Sequence, residues 1–297
     1  MYDVIITGGG CSGLTAALYA ARAGLSVLII EGETVGGQIA SAPVVENFPG
    51  LKSISGAQFA NSLFEQVTEY GVDFELERVV KIEDGSVKRV YTEDEVFEGK
   101  TVIIASGAKH RHLGIDGEER LCGSGVSYCA VCDGAFFKGK TAAVAGGGNS
   151  AAAAAEFLSG LCNKVYIIHR RDTFRFSDRY LQRLQKLDNI EFITNAEIDS
   201  LIGESSLEGI RLKNGQIIDS DALFVCIGQE PDNEAYNSLV ELDEDGYIIS
   251  GENCITNVPG IFAAGDCRRK NVRQLVTAAA DGACAAISAM EYIKSMK

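Results

Sequence analysis

The sequence contains the same glycine-rich pattern twice, each time directly after a short apolar run. Residues 4–7 lead into GGGCSG at residues 8–13, and residues 141–145 lead into GGGNSA at residues 146–151. An alanine-rich helical pattern and a second apolar run follow each copy. Strand, glycine turn, helix and strand in this order make the βαβ unit that binds dinucleotides. We therefore predict an α/β fold with two Rossmann-like dinucleotide-binding domains.

In the first copy, each glycine has a separate task. Gly8 permits the tight turn, Gly10 lets a diphosphate approach the backbone, and Gly13 lets the helix pack on the strand. The helix N-terminus then offers free N–H groups to the phosphates. Glu31 lies 18 residues past Gly13 (31 − 13), at the end of the second strand. A carboxylate there accepts hydrogen bonds from ribose and repels a 2′-phosphate, which favours FAD or NAD.

The second copy differs at the corresponding position. Eighteen residues past its last small residue (169 − 151), where the first copy has Glu31, it has His169, Arg170 and Arg171, with Arg175 close behind. Guanidinium groups bind phosphate in a bidentate manner, as a 2′-phosphate requires. We therefore predict NADPH at this site. The simpler alternatives are a glycine turn without a ligand and an exposed basic start of a helix.

The predicted NADPH contacts are Gly146, Gly148, Asn149, Ser150, Ala151, His169, Arg170, Arg171 and Arg175.

Between the two copies stands a cysteine pair, Cys129 and Cys132, which ends 14 residues before the second copy begins (146 − 132). Two cysteines separated by two residues form a redox disulfide or supply half of a metal site. The neighbouring nucleotide patterns favour redox chemistry. A zinc site with Cys122 and one of His110 or His112 stays open, although no second C-x-x-C or H-x3–5-H spacing supports it. A non-enzymatic redox sensor is a further alternative.

The net charge and the cysteine content limit the binding partners and the cellular compartment that we expect. The net charge of −14 argues against unspecific binding of nucleic acid or of an anionic membrane. We see no apolar run of 18 residues, and a strand pattern beginning at residue 3 leaves no room for a signal segment, so we expect a cytoplasmic protein. Seven of the nine cysteines stand singly among small or apolar residues, and we expect them to be reduced and buried.

Four motifs, spread over essentially the whole chain, resemble the low-molecular-weight, bacterial-type thioredoxin reductases. They are the two glycine patterns, the second with its HRRDTFR segment at 169–175, then CAVCDG at 129–134 and AAGD at 263–266. The cysteine motif is the most specific, because related flavoproteins that reduce ferredoxin lack it. The resemblance implies an FAD domain made of residues 1–112 and 242–297. An NADPH domain that carries the cysteine pair, residues 113–241, is inserted into it, although a turn-rich stretch at 229–233 is itself a candidate boundary.

The resemblance also implies the roles of individual residues. Cys132 would lie nearest the flavin, Cys129 would attack the partner disulfide, and Asp133 would supply protons. Electrons would pass from NADPH through FAD and the disulfide to thioredoxin or a thioredoxin-like protein. Arg273 and Gln274 would border the flavin pyrimidine ring. We also expect a homodimer.

The predicted FAD contacts are Gly8, Gly10, Ser12, Gly13, Glu31, Gly36, Gly37, Gln38, Asn47, Val80, Ala105, Gly107, Gly265, Asp266, Arg273 and Gln274.

The chain departs from the family pattern at one place. In these reductases, the helix after the second glycine-rich pattern commonly carries two acidic residues. In this chain the corresponding positions are Ala153 and Ala154. They lie where the nicotinamide half would dock. The arginine cluster still favours NADPH, and a ferredoxin is the alternative electron donor.

Overall fold

The computed structural model describes residues 1–42 and 44–296. The chain divides into two compact units. The first unit comprises Met1–Lys109 and Glu230–Lys297, and the second unit comprises His110–Gln229. The second unit is therefore an insertion in the sequence of the first.

The helices are α1 (Cys11–Arg22), α2 (Gly56–Thr68), α3 (Ala130–Asp133), α4 (Asn149–Ser159), α5 (Asp178–Leu184) and α6 (Leu275–Ser295). Short 3-10 helices span Gly37–Ser41, Gly134–Phe137, Glu234–Tyr236 and Gly265–Cys267.

The strands up to the cysteine motif are β1 (Tyr2–Thr7), β2 (Val27–Glu31), β3 (Asp73–Leu76), β4 (Val79–Glu83), β5 (Lys88–Thr92), β6 (Val96–Ile104), β7 (Ala108–His110) and β8 (Val126–Ser127). The later strands are β9 (Thr141–Ala145), β10 (Lys164–Ile168), β11 (Ile190–Ile193), β12 (Ile198–Ile202), β13 (Gly209–Leu212), β14 (Ile217–Asp219), β15 (Ala222–Val225), β16 (Gln229–Pro231) and β17 (Ile261–Ala263).

The first unit is built on a sheet with the order β3-β2-β1-β6-β5-β4, to which β17 adds beside β6. Strands β3, β2, β1, β6 and β17 run parallel, whereas β5 and β4 are antiparallel additions. Ile6 and Ile29 face one core with α1 and α6, and Ile5 and Leu28 face a second core on the other side. Both faces of β1 are therefore buried, and this explains its uninterrupted apolar run.

The second unit repeats the arrangement on a smaller scale. Its parallel sheet has the order β11-β10-β9-β15-β8, and the antiparallel strands β12, β13 and β14 form a separate sheet. Val144 and Phe224 pack in one core beneath α4, while Ala143 and Leu223 pack in the core on the opposite face. The predicted second βαβ unit is thus formed by β9, α4 and β10.

The two points where the chain passes between units lie in paired strands. β7 pairs with β16, and the unit boundaries at 109/110 and 229/230 fall within these strands. The second boundary lies twelve residues before the expected one (242 − 230), inside the turn-rich stretch. The reason is Tyr236, which is 4% exposed in the core of the first unit and donates a hydrogen bond to Thr7 Oγ1 at 3.1 Å.

The free cysteines only partly match the expectation. Cys11, Cys162, Cys254 and Cys267 are buried and Cys226 is half-buried, but Cys122 and Cys284 are exposed, so the prediction of burial is wrong for these two. Burial raises the pKa of Cys11 to about 11 and that of Cys254 to about 12. Among the described residues, no helix is both long enough and apolar enough to cross a membrane.

Candidate active site

The first glycine loop has a shape that only glycine allows. Gly8 has φ +114°, and a Cβ there would lie 2.3 Å from the Ala105 carbonyl oxygen. A Cβ on Gly13 would lie 1.9 Å from the Gly8 carbonyl oxygen. Both contacts involve backbone atoms that cannot move aside, so the loop closes tightly between β1, β6 and α1. The predicted tasks of Gly8 and Gly13 agree with this geometry.

Gly10 differs because space surrounds it. The atom nearest to a Cβ built there is the Gly36 carbonyl oxygen, at 3.8 Å. Gly10 is the N-cap of α1 and provides no side-chain cap. The helix begins at Cys11, so the loop runs directly into the first helical turn. Open space beside uncapped N–H groups fits a diphosphate.

The Glu31 carboxylate is oriented by backbone amides at the end of β2. Its Oε2 accepts a hydrogen bond from Gly9 N–H at 2.6 Å, and its Oε1 accepts from Glu33 N–H at 2.8 Å and Thr34 N–H at 3.2 Å. These three N–H donors fix the position of the carboxylate beside the loop. In this position the carboxylate can accept hydrogen bonds from ribose hydroxyls, and it would repel a 2′-phosphate.

The Gly265–Asp266 turn lies against the same loop. Gly265 has φ +83°, and a Cβ there would come within 2.5 Å of Ser12 Oγ. Asp266 Oδ1 is buried without a hydrogen-bond partner among the described residues, and Lys270 Nζ is 3.7 Å away. Burial raises the pKa of Asp266, while Lys270 and Arg273 oppose that shift. An orphaned carboxylate oxygen next to a phosphate cradle fits a ligand that carries hydroxyl groups, as the ribityl chain of FAD does.

Other predicted FAD contacts fall into smaller groups. Asn47 Nδ2 donates to Gln274 Oε1 at 3.3 Å, so residues 227 positions apart meet at the start of α6. Arg273 places its guanidinium 4.0 Å from the centre of the Tyr247 ring. Gly36, with φ +94°, packs against Ala60. The Asn47–Gln274 contact therefore brings Asn47 to the start of α6, beside Arg273.

The structure connects the remaining predicted FAD contacts less directly with the first glycine loop. Gly37 opens the 3-10 helix in which Gln38 is exposed, and Gly107 follows β6 with φ +75°. Val80 is 46% exposed on β4, the edge strand, which β5 and β6 separate from β1. A Cβ built on Gly32, the residue after Glu31, would nevertheless lie 3.4 Å from Arg78 Cα, so the start of β4 lies near the end of β2. The role of Val80 stays a prediction.

The second glycine loop has the same construction. Gly146 has φ +150°, and a Cβ there would lie 2.3 Å from the Cys226 carbonyl oxygen, whereas a Cβ on Gly148 would meet no described atom within 4 Å. Gly148 is the N-cap of α4, and Asn149 Oδ1 accepts a hydrogen bond from Ser177 N–H at 3.1 Å. Ser150 is exposed in the first turn of α4. This loop also fits a diphosphate.

The predicted phosphate-binding cluster divides into a buried histidine and three exposed arginines. His169 is 7% exposed, its ring stacks on Phe174, and a Cβ on Gly147 would come within 2.3 Å of it. Burial lowers the pKa of His169, and the neighbouring arginines lower it further. Arg175 N–H donates to the Gly147 carbonyl at 2.7 Å. His169 thus supports the loop in its neutral form.

The three guanidinium-bearing residues, Arg170, Arg171 and Arg175, are exposed beside the loop.

The two cysteines of the pair form a disulfide. The turn that carries them packs against α4, the helix after the second glycine loop. Cys129 and Cys132 have Cα atoms 5.3 Å apart, and Cys132 N–H donates to Cys129 Sγ at 3.2 Å. Gly134 follows α3, and a Cβ there would lie 3.0 Å from Leu158 and 3.1 Å from Phe157, both on α4. The disulfide and the nucleotide loop therefore share one rigid support.

Two residues outside the predicted site contact this turn. Ser127 donates a hydrogen bond to Asp133 Oδ2 at 2.6 Å. Tyr128 donates to Glu118 Oε1 at 2.9 Å, and its ring stacks on His110. Only the nearness of Ser127 and Tyr128 to Cys129 in the sequence could have suggested them, because the partners become neighbours through the fold.

The zinc interpretation receives no support. The two sulfurs of the pair are bonded to each other, and the described part of the chain holds no group of three or more His, Cys, Asp or Glu side chains placed for a metal ion. His110 and His112 contact the Tyr128 ring instead.

On α4, Ala153 is exposed and Ala154 is buried, so this helix has methyl groups at the two positions where the family pattern led us to expect acids.

Comparison with known proteins decides the family. The family model described as pyridine nucleotide-disulphide oxidoreductase matches residues 2–282. The chain belongs to this family.

Several thioredoxin reductases resemble the chain over its full length. The thioredoxin reductase of Listeria innocua is 41% identical over 304 aligned positions, which cover 100% of this chain and 95% of that protein. The thioredoxin reductase of Mycolicibacterium smegmatis is 41% identical and covers 99% of this chain and 97% of its own length. The crystal structure of the Streptococcus pyogenes thioredoxin reductase matches with a TM-score of 0.95 at 41% identity, covering 99% of both chains.

These comparisons confirm the predicted family relationship and the predicted fold class of two Rossmann-like domains. FAD and NADPH, the predicted cofactors, are those of the family. The alternatives of a ferredoxin-dependent enzyme, a zinc flavoprotein and a redox sensor are not favoured.

Proposed function

We propose that the chain is an NADPH-dependent thioredoxin-disulfide reductase in which FAD links the nicotinamide to the Cys129–Cys132 disulfide. The observation that carries this function is the Cys129–Cys132 disulfide. Gly134, two residues after it, packs against α4, the helix that follows the second glycine loop. The full-length similarity to thioredoxin reductases supports the same activity.

The residues present suit both cofactors. In the first unit, the loop at Gly10, the Glu31 carboxylate and the orphaned Asp266 oxygen would hold FAD. In the second unit, the loop at Gly148 and the three exposed arginines would hold NADPH. When bound, these groups supply hydride transfer and the passage of an electron pair.

The side chains of the cysteine turn perform the remaining chemistry. Two electrons break the Cys129–Cys132 bond and leave two sulfur anions, of which Cys132 would be the one formed nearest the flavin. The Cys132 N–H that donates to Cys129 Sγ stabilises negative charge on Cys129. The Cys129 thiolate attacks the disulfide of thioredoxin, and Cys132 then attacks the mixed disulfide. The Cys129–Cys132 disulfide re-forms and thioredoxin is released with two reduced sulfurs, which take up two protons, one from Asp133 and one from solvent.

The two units would have to move relative to each other in this cycle. The cysteine turn and the NADPH loop belong to the second unit, while the FAD loop belongs to the first. Each must meet the same flavin in turn, and the cysteine pair must also meet a protein. We assign the hinges to β7 and β16, where both boundaries lie.

Rapid mixing with NADPH under anaerobic conditions tests the function. We expect the yellow flavin band to bleach within one turnover and thioredoxin to be reduced in the steady state. Cys132→Ser should keep the bleaching and lower thioredoxin reduction to background, because the electron pair no longer reaches a disulfide. Cys284→Ser, an exposed thiol outside the motif, is the matched control and should behave as wild type. Thioredoxin reduction by Cys132→Ser at the original rate, or bleaching only with a reduced ferredoxin, would contradict the proposal.

We further propose a cytoplasmic homodimer whose partner is thioredoxin or a thioredoxin-like protein. The seven free cysteines are those expected of a protein in a reducing compartment. The resemblance to bacterial thioredoxin reductases supports the dimer. Light scattering coupled to gel filtration should give a mass of about twice the 31.7 kDa of one chain.

A further inference from the structure

One buried hydroxyl connects the two ends of the cysteine turn. Ser127, at the end of β8, is 5% exposed. Its Oγ donates a hydrogen bond to Asp133 Oδ2 at 2.6 Å and accepts one from Cys129 N–H at 3.0 Å. A second possible acceptor, the Cys129 carbonyl, is farther away at 3.4 Å, so the single hydroxyl proton points to Asp133. Both the acid and the first cysteine of the motif are therefore positioned by the same atom.

The anchoring of Ser127 makes this contact rigid. β8 pairs with β15 through Phe224↔Ser127, so the serine backbone belongs to the parallel sheet of the second unit. The carboxylate of Asp133 lies at the end of α3, the four-residue helix that begins directly after Cys129 and contains Cys132. A residue on the sheet thus fixes a side chain on the short helix of the cysteine motif.

We propose that Ser127 is a positioning residue that holds the Asp133 carboxyl group for proton transfer at the Cys129–Cys132 pair. This inference rests on the proposed function, since it assigns the proton to Asp133. When the thiolate of the pair is protonated, the Asp133 O–H bond breaks, the proton joins sulfur, and the carboxylate that remains keeps the hydrogen bond donated by Ser127. The electrons for the reduced pair come from NADPH through FAD, as proposed above.

The electrostatics agree with this role. Burial raises the pKa of Asp133, and the hydrogen bond from Ser127 opposes that rise because it stabilises the carboxylate. Among the neighbouring titratable groups, the Cys122 side chain is exposed, but partial desolvation and the charges of Asp133 and Glu118 raise the pKa of its thiol. Removal of the Ser127 hydroxyl should therefore shift the titration of Asp133 to higher pH.

Two variants of equal size isolate the hydroxyl. Ser127→Thr and Ser127→Val both add a methyl group to a buried position, and only threonine keeps the O–H. We expect the pH profile of kcat for thioredoxin reduction to contain an inflection that Asp133→Asn removes. In Ser127→Val this inflection should move upward by roughly half a unit to one unit, with kcat lowered several-fold. Ser127→Thr should restore the wild-type position. Identical profiles for the valine and threonine variants would overturn the proposal.

A second assay separates this inference from the proposed function. The variants are made in a Cys122→Ser, Cys284→Ser background, the holoenzyme is reduced with dithiothreitol, and alkylation of the pair by iodoacetamide is followed from pH 4 to 10. The inflection removed by Asp133→Asn should again move upward in Ser127→Val alone, and unchanged alkylation profiles would overturn the inference. If the inflection moves as expected while thioredoxin is not reduced with NADPH, the proposed function fails and the positioning role stands. Equal flavin content and thermal midpoints in the threonine and valine variants show that both fold.

Discussion

At the scale of single residues, the two glycine loops are distinguished by the charges at the end of the strand that follows each one. Beside the first loop, backbone amides hold the Glu31 carboxylate in place. Beside the second, Arg170, Arg171 and Arg175 are exposed, and Arg175 is tied through its backbone to the glycine loop. Opposite charges on equivalent positions separate a cofactor without a 2′-phosphate from one that has it.

Replacing Arg170 and Arg175 together by alanine should raise the KM for NADPH by about a hundredfold or more, because charge-assisted hydrogen bonds contribute about 1.5–3 kcal/mol each and the double variant removes two arginines. The KM for NADH and the kcat should change little, since NADH lacks the 2′-phosphate. Steady-state kinetics with both nucleotides measure this. Arg179→Ala, an exposed arginine on α5, is the control and should leave both constants unchanged. An equal loss with NADH and NADPH would show that the arginines do not recognise the 2′-phosphate.

At the scale of elements, a buried ionic cluster joins α6 to the segment that begins with the Gly265–Asp266 turn. Asp281 accepts hydrogen bonds from Arg268 Nη2 at 2.7 Å, Lys270 Nζ at 2.9 Å and Gly265 N–H at 3.1 Å. One residue on, a Cβ at Gly282 would lie 2.2 Å from the Ser12 carbonyl oxygen, so α6 and α1 nearly touch. The orientation of the Gly265 turn and the start of α6 therefore depend on one carboxylate.

Asp281→Asn should lower the thermal midpoint of the holoenzyme and weaken FAD retention by the proposed site. Arg268 would lose its buried carboxylate partner and Lys270 would keep only Asp266, at a cost of roughly 3 kcal/mol. Burial alone would raise the pKa of Asp281, but its hydrogen bonds to Arg268 and Lys270 hold that pKa below the ordinary value. The stability it contributes is thus complete above about pH 4 and is lost as the pH falls through the lowered pKa.

Thermal unfolding followed by flavin fluorescence between pH 3 and 7 measures the effect. The difference between wild type and Asp281→Asn should be largest near pH 7 and shrink toward pH 3. Glu291→Gln, an exposed acid on the same helix, is the control and should have no such effect. A difference that stays constant over this range would rule out the ion cluster as its cause.

Most of the elements around the site follow from sequence patterns, whereas their junctions do not. β1, β2, β9 and β10 were predictable because burial on both faces demands continuous apolar residues. The start of α1 at Cys11 was not, since Gly10 offers no capping side chain to mark it. Ser127 gave no signal because its partner, Asp133, is brought to it by the cysteine turn. The Tyr236 contact with Thr7, 229 positions away, likewise depends on the complete fold.

At the scale of the whole molecule, the order of the two units along the chain determines what the enzyme must do. The second unit carries both the second glycine loop and the disulfide, and the first unit carries the first glycine loop. In the proposed cycle, NADPH and the disulfide each have to reach the same flavin ring, one after the other. Alternation between two arrangements is therefore built into the proposed cycle.

A covalent cross-link between the two units should abolish NADPH-dependent thioredoxin reduction, whichever arrangement it fixes. An enzyme fixed with NADPH at the flavin should still bleach once, and one fixed with the disulfide at the flavin should not respond to NADPH. Engineered cysteine pairs joined by a bis-maleimide, in a Cys122→Ser, Cys284→Ser background, allow the measurement by stopped flow. A cross-link placed within one unit is the control. Undiminished steady-state rates after complete cross-linking would remove the requirement for motion.

The pairing of β7 with β16 also determines how this architecture can be rebuilt. Because neighbouring strands lie about 5 Å apart, the chain leaves the flavin unit and returns to it at nearly the same point. A short bridge from Lys109 to Glu230 would close that unit on itself, and any module with adjacent termini could be grafted there instead. The two crossings thus form a single attachment site. The unit inserted there could be exchanged for one with a different electron donor or acceptor, without a change to the core of the first unit.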